Sequence, residues 1–300
     1  MDVPFLIWGI YNWFDNGLLR VLFGKFSFGE STTALIVGLA FVFCIVVSYL
    51  LGSVNFALVV SKIFYHDDVR EHGSGNAGAT NMGRSYGKKA AVLTFLGDGL
   101  KGVISILIAC AIFAHPTSEK YYIFLVYAAY LSAFFCIFGH VFPCFSRFRG
   151  GKGFATMSMS VIALNPFIAL VLLCIYIPLV AMTRYISLGS VVIALFYPII
   201  LHSFDTITMR YGVPSLIALM IAALVTWAHR GNLKRIMDRT ERKIKLWYKT
   251  PEAPAVDPVP ESTPEKVDQP EADWFKASQE VSTKKHPVSK KKLKRLKKRK

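Results

Sequence analysis

The chain has 300 residues, 53% of them hydrophobic, with a mean hydropathy of +0.42 and a formal net charge of +16. A soluble domain of this size does not carry repeated, uninterrupted apolar runs, and the two-residue alternation of a transmembrane barrel is missing; an all-α polytopic membrane protein remains. The five cysteines (Cys44, Cys110, Cys136, Cys144 and Cys174) show no CxxC or His-paired spacing and lie mostly inside apolar runs, which predicts neither a disulfide framework nor a metal site.

Residues 1–30 are rich in aromatics (Trp8, Tyr11, Trp13) but broken by Asn12, Asp15, Asn16, Arg20 and Lys25. The segment is too interrupted to span and suits the head-group layer, so 1–33 is taken as an interfacial aromatic segment. It has no basic n-region or small-residue cleavage motif, so no removable signal peptide is expected. Leu35–Ile63 follows, 29 residues long. As one helix it would measure roughly 43 Å against a hydrocarbon core of about 30 Å, so it must tilt or protrude. Its polar end (Gly52, Ser53, Asn55, Ser61, Lys62) is expected to emerge toward a polar loop.

The next apolar run, Ala90–Ala114, carries Asp98 and Lys101 on one helical face, where such charges pair or line a wet cavity. Tyr121–Phe145 is the third. Phe154–Leu164 has only eleven residues, and Asn165-Pro166 marks a turn, so 154–183 is expected to be a short or tilted helix folding back into Pro166–Thr183. Leu188–His202 and Pro214–Ala228 complete a count of about seven helices.

Basic residues fix the expected orientation. Arg70, Arg84, Lys88 and Lys89, then Arg147, Arg149 and Lys152, then Arg184 and the segment after 229 fall on one side, while the opposing loops carry only Lys120 and Arg210. That side is the cytoplasmic one, with the N-terminus outside and the C-terminus inside. The membrane domain spans 34–249. Residues 250–300 form a Pro/Glu-rich and then Lys-rich tail, expected to be disordered; eleven of its last seventeen residues are Lys or Arg. The tail is attracted to anionic lipid, and no specific nucleic acid is implied.

Four polar segments converge on the cytoplasmic face. The first, His72–Arg84, reads HGSGNAGATNMGR. Gly73, Gly75 and Gly78 let backbone N–H groups close around an anion, while Ser74, Asn76, Thr80, Asn81 and Arg84 add donors that a plain linker does not need. The second, Gly139–Thr156, places Gly150, Gly151 and Gly153 around Lys152 at the start of a helix, where free N–H groups and the dipole favour phosphate. Its spacing is not that of a P-loop, so ATP is not implied. In the third, RYISLGS at 184–190, Ser187 or Ser190 suits a helix cap, and Arg184 and Ser187 are also candidate ligand contacts. In the fourth, AHRGNLKRIMDRTERK at 228–243, interfacial anchoring explains the arginines but not His229 and Asn232, three apart on one face, nor Glu241. No Ser-His-Asp or Cys-His arrangement is present, and Cys144 has no activating neighbour, which favours direct attack over a covalent enzyme intermediate.

Together these segments resemble the bacterial membrane glycerol-3-phosphate acyltransferases of the acyl-phosphate-dependent (PlsY) type. GSGNAGATNMGR at 73–84 resembles that family's first signature and GHVFPCFSRFRGGKGFAT at 139–156 its second; Asp98-Gly-Leu-Lys101-Gly102 resembles the DxxKG between them, RYISLGS a further shared stretch and HRGNLKRIMDRTE at 229–241 the last. The likeness covers roughly Leu35 to Lys245. Asn55 and Ala57 stand where the family usually has Pro and Gly, and Arg239 where it has Gly.

The resemblance implies transfer of a fatty acyl group from acyl phosphate to the sn-1 hydroxyl of glycerol 3-phosphate, giving lysophosphatidic acid and phosphate at the bacterial inner membrane without a cofactor. Ser74, Arg84, Lys152 and His229 would carry catalysis, with Arg84 and Lys152 neutralising phosphate charge and His229 a candidate base; a substrate phosphate oxygen is the other proton acceptor. Gly73, Gly75, Asn76, Gly78, Thr80, Asn81, Gly150, Gly151, Gly153, Arg184, Ser187, Asn232 and Glu241 would bind substrate. A transporter or channel for a phosphorylated solute is the competing class, but no internal repeat is present and the polar groups cluster on one face rather than along a pore.

Overall fold

The computed structural model describes residues 17–114, 119–207 and 212–244. The chain divides into one unit over Met1–Trp247 and another over Tyr248–Lys300. The second unit, and with it the basic tail, lies outside the described residues, as do Trp8, Tyr11 and Trp13 of the aromatic N-terminal segment.

Among the described residues the chain is helical, without strands. Helix α1 (Leu18–Lys25) buries Leu19, and the Gly17 N–H just before it donates to the Ala114 carbonyl at 3.0 Å. Next come α2 (Glu30–Ser53) and α3 (Phe56–Tyr65). The expected single helix over Leu35–Ile63 is therefore two helices. The break forms because Asn55 caps the second, its side-chain oxygen accepting from the Leu58 N–H at 3.1 Å. A buried break strands backbone groups on both sides, and partners from elsewhere in the chain satisfy them. The Lys101 ammonium donates to the carbonyls of Gly52 (2.8 Å) and Val54 (2.7 Å), while the Phe56 N–H donates to Asp98 Oδ1 (3.2 Å). A cation thus faces the carbonyl end of one half-helix and an anion the N–H end of the other, as the helix dipoles require. Lys101 and Asp98 also pair at 3.0 Å, as their spacing predicts.

The short α4 (Ala79–Ser85) leads into α5 (Lys88–Phe113), which carries that pair, and α6 (Glu119–Val141) packs against both α2 and α5. Small buried residues let these helices approach: Ala128, Ala129 and Ala133 of α6, with Ala109 and Cys110 of α5. Helix α7 (Phe154–Leu164) is enclosed by α5, α6 and α8 (Pro166–Thr183). Asn165 makes the turn between α7 and α8, accepting from the Ile168 N–H at 3.1 Å, with Pro166 at the first helical position. Helix α9 (Ile186–Ile207) packs on α8 and on α10 (Val213–Ala228), and α11 (Arg230–Met237) leaves α10 at a bend of 54°.

Leu35, Leu39, Val42 and Val46 of α2, like Phe167, Leu170, Leu173 and Ile177 of α8, point outward. Apolar faces of this extent belong against lipid. Five described helical segments are long and apolar enough to cross a membrane, or six when the bent α10–α11 pair counts as one span. The expected count of about seven is reached when α7, shorter than these, is added to the six. Helix α7, eleven residues and about 16 Å long, ends at Asn165, where α8 begins.

Candidate active site

The four polar segments meet around one cavity of about 580 Å³ at one end of the bundle. The first loop owes its shape to Asn81. That buried amide accepts from the Ser74 N–H (2.9 Å) and donates to the carbonyls of Val69 (3.0 Å) and His72 (2.9 Å). Gly73 turns at φ +61°, and a Cβ there would strike Asn81 Oδ1. Asn81 therefore spends its polar atoms on the loop, while Gly73, Ser74, Asn76, Gly78, Thr80 and Arg84 line the cavity beside it. Gly75 lies outside the lining and makes the turn, its N–H donating to the His72 carbonyl at 3.0 Å. The loop is tied to the broken span as well, because Asn55 Nδ2 donates to the Ala77 carbonyl at 3.2 Å.

The second segment divides between two tasks. Lys152 and Gly153 line the cavity with Phe154 and Ala155, the first residues of α7. The Met157 N–H makes the first bond of that helix, to the Gly153 carbonyl at 2.8 Å, so the N–H groups before it form a free, dipole-positive end. Gly150 and Gly151 do not reach the cavity. The Gly151 N–H donates to the His140 carbonyl at 3.1 Å; a Cβ on Gly150 would strike that carbonyl, and one on Gly151 the His140 ring. These two glycines seat the loop on His140.

Ser187, Asn232 and Glu241 form one network. Glu241 Oε1 accepts from Ser187 Oγ at 2.9 Å and from Asn232 Nδ2 at 2.6 Å, and Oε2 accepts from Arg235 Nε at 2.7 Å. The carboxylate thus joins the start of α9 to α11. Burial alone would raise its pKa, but the bonds from Asn232, Arg235 and Ser187 outweigh that and hold it below the ordinary carboxylate range. Ser190 donates back to the Ile186 carbonyl at 2.9 Å. Arg184 lies outside the cavity lining, exposed, in a left-handed conformation that ends α8, with its carbonyl accepting from the Ile244 N–H.

His229 is buried at the bend between α10 and α11 and faces the cavity. Its Nδ1 lies 2.8 Å from the Val225 carbonyl, an acceptor only. Nδ1 must therefore carry a hydrogen, and in the neutral ring Nε2 then holds the lone pair.

The cavity is strongly cationic. Arg84, Lys152, Arg235 and Arg242 all line it, and Glu241 is committed to its own network. Burial pushes the Lys152 ammonium down to about 8; Arg235 and Arg84 push the same way, and Glu241 opposes them. Burial, with Arg242 and Arg235, also lowers Arg84, again against Glu241. Neither Arg84 nor Lys152 has a hydrogen-bond or ion-pair partner among the described residues. Both cations are available to an anion from outside.

Several lining residues had no signal in the sequence. His140 is a single histidine inside an apolar run. It lies 2.9 Å from Lys101 Nζ and 3.4 Å from Asp98 Oδ1, partners that are distant in the chain, and His140 and Asp98 both line the cavity. Phe95, Phe154, Tyr176 and Ile186 give it an apolar part, with the Phe154 and Tyr176 rings stacked at 5.6 Å. Arg235 was visible only as one arginine of an interfacial cluster.

Residues 42–239 match the model of the glycerol-3-phosphate acyltransferase family. A glycerol-3-phosphate acyltransferase of Clostridioides difficile (strain 630) is 41% identical over 205 residues, which cover 68% of this chain and 96% of the relative. One of Coxiella burnetii (strain CbuG_Q212) is 39% identical over 208 residues, covering 69% of this chain and 100% of the relative. Among solved structures, PlsY (YgiH), an integral membrane glycerol 3-phosphate acyltransferase, superposes in its glycerol 3-phosphate form with a TM-score of 0.59 at 33% identity, over 68% of this chain and 96% of that one. Its lysophosphatidic acid form gives 0.57 at 32% identity, over 68% and 95%. With the signature segments gathered at one cationic cavity inside a helical membrane bundle, these matches place the chain in the PlsY family of membrane glycerol-3-phosphate acyltransferases.

Proposed function

We propose that the chain moves a fatty acyl group from acyl phosphate to the sn-1 hydroxyl of glycerol 3-phosphate, forming lysophosphatidic acid and inorganic phosphate on the cytoplasmic side of a bacterial inner membrane. One observation carries the reading: Arg84 and Lys152 face a single cavity with no protein partner among the described residues. Two phosphate-bearing substrates supply the anions such a site lacks, and the apolar part beside Phe95, Tyr176 and Ile186 suits the start of an acyl chain. The solved forms of PlsY with glycerol 3-phosphate and lysophosphatidic acid support the acceptor and the product.

In this mechanism the hydroxyl oxygen attacks the acyl carbonyl carbon, the bond from that carbon to the phosphate oxygen breaks, and phosphate leaves with both bonding electrons. An acyl phosphate is a mixed anhydride with a good leaving group, so no protein nucleophile is required. The free N–H groups at the start of α7, with Lys152, stabilise the leaving phosphate. Arg84 and Ser74 hold the phosphate of the acceptor, and Ser187 and Asn232, fixed by Glu241, set its orientation. His229 Nε2 takes the hydroxyl proton, its ring fixed by the bond from Nδ1 to Val225.

The test is purified protein given labelled glycerol 3-phosphate with palmitoyl phosphate or palmitoyl-CoA in parallel. Lysophosphatidic acid from the phosphate donor alone is expected. Product from the thioester alone, or none from either, would overturn the proposal.

A further inference from the structure

Outside the cavity, one carboxylate is bonded to both ends of the loop that carries Ser74 and Arg84. Asp67 Oδ2 lies 2.7 Å from His72 Nε2 and accepts from the Tyr86 hydroxyl at 2.8 Å. His72 immediately precedes Gly73-Ser74, and Tyr86 follows Arg84-Ser85. The loop and its short helix thus leave and return at a single side chain, like a ring closed by a clasp.

Three further contacts stiffen this arrangement. The Tyr65 ring stacks on Tyr86 with centroids 4.3 Å apart and planes at 20°, and the His72 ring meets Tyr86 edge-on at 6.1 Å. Asp67's own N–H donates to the Ser61 carbonyl at 3.2 Å, which anchors the clasp to α3. The neighbouring Asp68 is occupied elsewhere, caught by Arg70 within the turn Val69–Glu71, and does not compete. Burial and the Asp67 carboxylate push the Tyr86 phenol up to about 12, so it stays a donor at any physiological pH. The hydrogen bond from Tyr86, ahead of those from the Asp68 N–H and His72, keeps Asp67 below its ordinary value even against its partial burial.

A glycine-rich loop has many shapes of similar energy, and only one of them puts Ser74 and Arg84 on the same cavity wall. Asn81 fixes the interior of the loop, but its partners all lie within residues 69–81. Holding the far end, where Arg84 sits, requires a group that ties 86 back to 72. We propose that Asp67 is a positioning residue which, through His72 and Tyr86, holds the Ser74–Arg84 loop in its substrate-binding shape. This inference rests on the reading that the cavity takes glycerol 3-phosphate.

The full-length protein in detergent tests it with Asp67→Ala, Asp67→Asn and Tyr86→Phe, the last keeping the stacked ring. Asp67→Ala is expected to raise KM for glycerol 3-phosphate about tenfold, with kcat within about twofold and the thermal midpoint unchanged, the scale of a lost charge-assisted hydrogen bond. Tyr86→Phe gives a smaller rise, Asp67→Asn falls between, and the double variant Asp67→Ala/Tyr86→Phe is no worse than Asp67→Ala alone. Trypsin cleavage after Arg84 accelerates in Asp67→Ala. Unchanged KM, a fall in kcat alone, or additive effects in the double variant would overturn the proposal, as would faster cleavage with no change in KM. If the wild type makes no lysophosphatidic acid, the acyl-transfer reading fails, and the trypsin arm still decides the clasp: equal cleavage in wild type and Asp67→Ala rejects it.

Discussion

Lys101 and Asp98 meet at 3.0 Å inside the bundle, and each also bonds the backbone on one side of the break at Val54–Asn55. The pair is thus a brace for a broken span as well as an ion pair. Loss of the lysine takes the donor from the Gly52 and Val54 carbonyls and leaves the buried Asp98 carboxylate with only the Phe56 N–H and His140 beside it. Lys101→Met should destabilise the protein by about 3–5 kcal/mol, the cost of breaking a buried pair from one side. Thermal unfolding in detergent measures this; a midpoint within a degree or so of wild type contradicts the brace.

Glu241 holds Ser187 and Asn232, the proposed substrate contacts, in place. Glu241→Gln keeps an acceptor for Ser187 or Asn232 but loses the charged bond to Arg235. KM for glycerol 3-phosphate should rise roughly tenfold, and Glu241→Ala should be worse, since Ser187 and Asn232 then both lose their fixed positions. Steady-state kinetics with acyl phosphate held saturating decide between this and a merely peripheral residue, for which KM would not move.

The Lys152 ammonium, lowered to about 8 chiefly by burial, has a signature in pH. Below that value the lysine is charged and can meet phosphate; above it the neutral amine prevails. The ratio kcat/KM should therefore hold level up to about pH 8 and fall above it, because this ratio reports groups of the free enzyme. Lys152→Arg should remove the alkaline fall while retaining part of the activity, a guanidinium staying charged throughout. A wild-type profile still level at about pH 9.5 assigns the charge elsewhere.

His229→Gln should lower kcat by about 10²- to 10⁴-fold with little change in either KM, if Nε2 accepts the hydroxyl proton. A loss below about fivefold would transfer that role to a phosphate oxygen of the donor.

Arg239 adopts φ 56° in the turn that returns the chain to Glu241. This is the position where the resemblance predicts glycine, and the turn keeps its shape with an arginine in it. Arg239→Gly should be neutral or stabilise by up to about 1 kcal/mol, whereas Arg239→Val should cost about 1–2 kcal/mol with kcat unchanged. Unfolding midpoints of the two variants, measured side by side, test the order.

The helices of the membrane domain, the turn at Asn165 and the polar segments that meet at the cavity were legible because each depends on local pattern: apolar run length, capping residues, glycine and charge clusters. The role of α7 was not legible, since a run of eleven apolar residues looks alike whether it crosses lipid or hides among other helices. Within the site, Asn81 and Gly150 carry the same lesson. Both belong to motifs whose composition points to phosphate, yet Asn81 spends its amide on its own loop and Gly150 makes room for the His140 carbonyl.

By itself, then, the sequence determined an all-helical membrane protein with four anion-seeking segments and the family to which they belong. The tertiary structure decided which members of those segments face the cavity and which hold it open. It also decided that the first span breaks at Val54–Asn55, braced by a lysine 49 residues beyond Gly52. The physical reason is one of range. Helix formation and membrane insertion follow from neighbours a few residues apart, whereas a buried carbonyl, amide or carboxylate must find its partner wherever the fold brings one, and here those partners lie on other helices.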